Sequence, residues 1–151
     1  LAQLATLGPI GRYLPAPGTA GSVIALIVGY FLAKNSFIML FSALLLVTIL
    51  GVFAADAYSK LTNKEDAGEV IIDEVAGQWL VLLCIPHNLD ATLLWYGAGF
   101  ILFRLFDIIK PWPIFYAEKL RGGIGVMADD VVAGSLAGMV LMIAQLFINP
   151  S

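Results

Sequence analysis

One cysteine, one histidine and little charge narrow the chemistry open to this chain. Cys84, in the apolar run "WLVLLCI", can make neither an intramolecular disulfide nor a cysteine-rich metal site. No basic neighbour stands beside it to favour the reactive thiolate, so a cysteine phosphatase is disfavoured. His87 is alone, which excludes a histidine acid/base pair and argues against a histidine nucleophile. Basic runs are missing, and 8 Lys and Arg against 11 Asp and Glu leave a net charge of −3, which argues against a nucleic-acid partner. Charged residues make up 13% of the chain, where an ordinary soluble domain has roughly 25%. A soluble protein of 151 residues exposes much of its area to water and needs more polar surface than that. The start carries no charged segment with a small-residue cleavage site, so no cleavable signal peptide is expected. Internal repeats and low-complexity linkers are also missing, and one domain over residues 1–151 is expected.

What the chain does have is apolar sequence: 60% hydrophobic residues and a mean hydropathy of +0.93. The apolar runs cover residues 21–33, 37–55, 75–85, 91–103 and 131–148. The second and fifth are long enough to cross roughly 30 Å of hydrocarbon as helices. The others suffice only if their polar flanks are helical, the third starting at Val70 and the fourth running on to Ile109. The expected fold is all-α, a compact bundle of about five membrane-associated or transmembrane helices. If the runs alternate across the bilayer, one side receives Arg12, Lys60, Lys64, Arg104, Lys110, Lys119 and Arg121, and the other only Lys34. The positive-inside bias makes the first side cytoplasmic. Every acidic residue except Asp90 falls on that side too, which insertion does not require, and a functional site there explains it. Small residues at Gly134 and Gly138, and at Gly97 and Gly99, suit close helix packing.

The charges gather in a few motifs. In "FRLFDIIKPWPI", Arg104, Asp107 and Lys110 are spaced i, i+3, i+6 along one helical face, and Pro111 and Pro113 then end the helix. "VIIDEVAGQW" sets Asp73 and Glu74 in an apolar stretch, with Glu69 four residues before Asp73. "MADDVVAG" repeats the pattern, with Asp129 and Asp130 expected to begin the last helix. Helix capping accounts for one acid of a pair, not for both. Two acidic pairs and Asp107 supply enough oxygen ligands for a hard cation such as magnesium, which also binds phosphate. "PAPGTAGS" leads into a helix with hydroxyls at Thr19 and Ser22, and a helix start of this kind can bind phosphate. "RGGIG" permits close backbone approach, and Arg121 joins Arg104 and Lys110 as positive charge opposite the carboxylates. These residues point to metal-assisted chemistry on a phosphorylated lipid.

In order and spacing, "PAPGTAGS", "IIDEVAGQW", "FRLFDIIKPWPI" and "GGIGVMADDVVAG" resemble the phosphatidylglycerophosphatase A family, over most of the chain from Pro15 to about Gly138. The resemblance implies a magnesium-dependent enzyme of the bacterial inner membrane. Such an enzyme removes the terminal phosphate of phosphatidylglycerophosphate to give phosphatidylglycerol. By the same resemblance Asp73, Glu74, Asp129 and Asp130 are magnesium ligands or activators of water, and Asp107 is the next candidate. Arg104 and Lys110 hold phosphate oxygens, and Thr19 and Ser22 orient the phosphate. Direct attack by water and a phospho-aspartyl intermediate both stay open, the lack of a D-x-D motif favouring water. Expected partners are the lipid substrate and the bilayer, with a homo-oligomer allowed. The competing reading is a small cation- or proton-coupled transporter that uses the intramembrane carboxylates as a relay.

Overall fold

The computed structural model describes residues 1–64, 67–86 and 92–148. His87 and Asp90, expected on the side away from the acidic cluster, lie outside the described residues. Among the described residues there are eight helices and no strand, in line with the all-α expectation. They are α1 (Ala2–Ala5), α2 (Ile10–Tyr13), α3 (Pro17–Asn35), α4 (Phe37–Thr62), α5 (Ile72–Leu83), α6 (Thr92–Ile109), α7 (Ile114–Ala117) and α8 (Gly122–Ile148). Local signals set several boundaries. Pro17 opens α3 at a position where its missing N–H costs nothing. Ser36 alone separates α3 from α4, and its hydroxyl oxygen accepts the Ile38 N–H at 3.2 Å, an N-cap for α4. Asn63, in the left-handed region at φ 54°, ends α4.

Three helices are long and apolar enough to cross a membrane: α3, α4 and α8, with mean hydropathies of 1.3, 2.7 and 2.2. Their outward surfaces are apolar as well. Phe31, Ile38, Ile49, Phe53, Leu146 and Phe147 are all exposed, a belt that suits hydrocarbon and not water. Inside the belt, α5 is the central strut and packs against α3, α4, α6 and α8. The G-x-x-x-G of α8 makes its crossing of α5 possible, since a side chain at Gly134 would strike the backbone of Gly77. Gly138 lies over Cys84 in the same way, and Gly99 of α6 sits against Val81 and Leu141. Gly97 faces open space, so the packing role expected for it is not found.

Other expectations need correction. The third apolar run forms a helix of only 12 residues, about 18 Å long, too short to cross hydrocarbon. It does not start at Val70: Ile71, at φ −138° and ψ 4°, is not helical, and its N–H is bonded to the Ala5 carbonyl of α1 at 2.8 Å. Glu69 therefore lies outside the helix and shares no face with Asp73; its partner is Lys64, at 3.8 Å. Lys110 is not on the α6 face with Arg104 and Asp107. The helix ends at Ile109, and Lys110 turns into the left-handed region at φ 48°, just before Pro111. Finally, α8 starts at Gly122, so Asp129 and Asp130 lie about two turns inside it and cap nothing.

Candidate active site

At one end of the bundle the starts of α3 and α5, the end of α6 and the first turns of α8 surround a polar pocket of about 270 Å³. Its lining includes Asp73, Glu74, Asp107, Asp129 and Asp130, with Arg104 and Lys110 as the cations and Thr19 and the backbone of Gly18 at the rim. Five carboxylates thus face two cations. Such an excess of like charge in a partly buried site is unfavourable unless a further positive charge joins it.

Arg104 organises one half of the site. Its guanidinium Nη1 donates to Glu74 Oε2 and to Asp107 Oδ2, the latter at 2.7 Å. Glu74 is buried, and its Oε2 also accepts the Ser22 hydroxyl at 2.7 Å. This places α3, α5 and α6 on one charged network, where a bidentate-capable guanidinium holds two helices' carboxylates in register. The Ser22 hydroxyl is fully buried beneath the pocket, and its oxygen also lies 2.9 Å from the Gly18 carbonyl, so its single proton is shared between the two acceptors. It reaches the pocket through Glu74 and does not line it.

The other half is a carboxylate triad. One oxygen each of Asp107, Asp129 and Asp130 lie within 4.8 Å of one another. Asp129 and Asp130 are buried, and Asp130 Oδ2 has no hydrogen-bond partner within the protein. A buried carboxylate oxygen without a donor, beside two further carboxylates, is the donor set of a hard divalent cation. The residues present fit such an ion. The triad includes Asp107 in place of Asp73 and Glu74 of the expected ligand set. Asp73 still lines the pocket, half-buried, and its Oδ1 accepts the Glu74 N–H at 2.9 Å. Glu74 is committed to Arg104.

Lys110 links the triad to the segment beyond α6. Its ammonium donates to Asp129 Oδ2 at 2.9 Å and to Glu118 Oε1 at 2.7 Å. Burial disfavours the charged lysine, but these two hydrogen bonds and charges outweigh it and raise its pKa above the ordinary value. Lys110 and Ala16, both non-glycine residues with positive φ, line the same pocket. Such conformations cost on the order of 1–3 kcal/mol each and gather at functional sites. Glu118 was not among the residues singled out from sequence. Its distance in sequence from the triad hides it, and only the fold of α7 back toward Lys110 reveals it. Glu118→Gln is expected to raise KM for the substrate several-fold, with a smaller change in kcat, because Lys110 loses one of two anchors. Steady-state kinetics of the purified variant check this; a fall in kcat alone would exclude a positioning role. Arg121, expected opposite the carboxylates, is exposed and is not among the residues lining the pocket.

Helices long and apolar enough to cross a membrane, with a carboxylate triad and two cations in a pocket at one end, define the class as a membrane protein with a polar site. Comparison with known proteins narrows the class. The family described as phosphatidylglycerophosphatase A matches residues 3–145, and the chain belongs to that family. It is 33% identical over 126 residues to a phosphatidylglycerophosphatase A of Escherichia coli, covering 83% of this chain and 72% of the relative. It is 37% identical over 139 residues to a phosphatidylglycerophosphatase A of Haemophilus influenzae, covering 89% and 82%. A Bacteroides thetaiotaomicron protein provisionally named phosphatidylinositol-3-phosphatase is 38% identical over 135 residues, covering 86% and 84%. No solved structure matches.

Proposed function

We propose that this chain hydrolyses the terminal phosphate monoester of phosphatidylglycerophosphate to give phosphatidylglycerol, with magnesium bound at Asp107, Asp129 and Asp130. The observation that carries this reading is the triad with its buried, unpartnered Asp130 oxygen, facing Lys110 and Arg104 at one end of an apolar bundle. When bound, the cation would offset the carboxylate charge and stabilise negative charge on the phosphate oxygens. Lys110, whose ammonium already sits 2.9 Å from Asp129, directs positive charge at the same place. Arg104 fixes Glu74 and Asp107 and adds its field to that of Lys110. The N–H groups at the start of α3, beside Gly18 and Thr19, offer neutral donors to a phosphate oxygen. Asp73 lines the pocket outside the tight triad and is placed to accept a proton from the attacking water. Water attacks phosphorus and gives a proton to Asp73, the bond between phosphorus and the glycerol oxygen breaks, and that oxygen takes up the proton to leave as a hydroxyl.

The site lies on the cytoplasmic side of a bacterial inner membrane in this reading. The ion pairs among the described residues gather at the end that the positive-inside bias makes cytoplasmic: Lys60–Asp56, Lys64–Glu69, Arg104 with Glu74 and Asp107, and Lys110 with Glu118 and Asp129. A transporter would need such groups along the bundle. For orientation, a cysteine at position 35 is expected to react with an impermeant thiol reagent from the periplasm and one at position 63 is not, in a Cys84→Ser background. The reverse pattern would invert the assignment. For substrate, purified protein should release phosphate from phosphatidylglycerophosphate far faster than from phosphatidylinositol 3-phosphate. Preference for the inositol lipid would transfer the chain to the chemistry in the Bacteroides relative's name.

A further inference from the structure

Away from the polar pocket, α5 shows one face through a gap between α3 and α4. Ile72, Val75 and Trp79 are spaced i, i+3, i+7, so this face runs about 10 Å along the helix. It floors a groove of about 290 Å³ whose walls include Val28 of α3 and Val47 and Leu50 of α4. The Trp79 indole N–H already donates to the Ala25 carbonyl at 2.8 Å, so the groove presents carbon and almost nothing else. Water gains nothing there, because an apolar cavity without polar partners stays dry or takes up hydrocarbon. A second helix, about 10 Å across, is too wide for that volume, whereas an unbranched chain is not. The lips of the groove decide what reaches it. Val28 and Leu50 are 44% and 36% exposed and belong to the apolar belt of the spanning helices, so the groove opens into lipid.

We propose that this groove is a binding site for one acyl chain of a bilayer phospholipid, which enters between α3 and α4 and lies against the Ile72–Trp79 face of α5. The bound chain lies over Ile72, Val75 and Trp79, which are buried at the bottom of the groove, and the site is separate from the catalytic pocket. It stands whether or not the proposed reaction is correct.

The three tryptophans supply the test. Trp79 and Trp95 are equally buried, at 7% and 8% exposure, but only Trp79 lines the groove. Full-length protein with Trp79 as sole tryptophan (Trp95→Phe, Trp112→Phe) and its Trp95-only counterpart are placed in vesicles of phosphatidylcholine with brominated acyl chains. Bromine quenches indole only near contact. Trp79 is expected to lose most of its emission relative to unbrominated vesicles, and Trp95 much less. Adding Val28→Phe or Val47→Phe, which fills the groove, should protect Trp79. Equal quenching of the two tryptophans, or quenching unchanged by the filling substitutions, would overturn the proposal. If the double tryptophan replacements do not fold, Val28→Phe in the otherwise native chain gives the same answer: reduced quenching of total emission supports the site, unchanged quenching refutes it.

Discussion

Asp130→Asn is expected to lower phosphate release on the order of a thousandfold while making the metal-free protein harder to unfold. The two effects come from one cause. Asp130 is buried in α8 with an unpartnered oxygen and stands within 4.8 Å of Asp107 and Asp129. Three carboxylates at that separation repel each other in a medium that screens poorly, so the site is built at a cost to folding. The amide removes one negative charge and adds a donor that a neighbouring carboxylate can accept, which relieves the repulsion. It also removes a hard oxygen ligand, and an amide oxygen is a poorer substitute where charge count sets affinity. Thermal unfolding in detergent with EDTA, beside initial rates with saturating magnesium, reads both. If activity and metal-free stability fall together, Asp130 is a structural residue and the triad is not a metal site. Asp129→Asn should lose activity too, but with less gain in stability, since Asp129 already has Lys110 as partner.

Arg104→Ala is expected to destabilise the fold by about 3–5 kcal/mol, enough to prevent accumulation in the membrane. The side chain is largely buried and carries the only positive charge given to Glu74 by the described ion pairs. Its removal leaves buried Glu74 and half-buried Asp107, on different helices, without this counter-charge, and frees the Ser22 hydroxyl network that joins α3 to α5. Arg104→Lys tests the geometry apart from the charge. A lysine restores one positive charge but not the fork that reaches Glu74 and Asp107 together, so much of the stability should return. The rate with magnesium should nevertheless stay about tenfold or more below the parent's, because both carboxylates lose register. Expression level and unfolding midpoint of the two variants decide the matter. An Arg104→Ala protein as stable as the parent would mean that the ion pairs contribute nothing.

Much of this was legible in the chain itself because membrane proteins write their boundaries in composition. The apolar runs marked the long helices, and the acidic pairs marked the site, since charge in a greasy segment is costly and needs a reason. The spacing of Arg104 and Asp107 put them on one helical face, where they form an ion pair confined to that helix. What escaped notice depends on contacts between elements. Nothing in "VIIDEVAGQW" says that Ile71 is tied to Ala5 in a non-helical conformation and that α5 starts only after it. "RGGIG" reads as a segment open to close backbone approach by a ligand, whereas Gly123 and Gly125 are inside α8, packed too closely against Val52 and Leu120 for a side chain. That early start carries Asp129 and Asp130 two turns into the helix and turns them toward Asp107. Ser22 was read as a phosphate ligand because hydroxyls at helix starts often are, whereas burial assigns it to Glu74. Glu118 required the chain to double back through the Pro111–Pro113 turn before it could meet Lys110.

The central claim, a cation-dependent phosphatase site formed by Asp107, Asp129 and Asp130, is tested most directly by one assay. Phosphate release from phosphatidylglycerophosphate in mixed micelles is followed with magnesium, after EDTA, and after magnesium is restored. The account predicts rapid release, near-complete loss with EDTA and full recovery with the ion, and no recovery in Asp130→Asn. Release that continues unchanged in EDTA would contradict it.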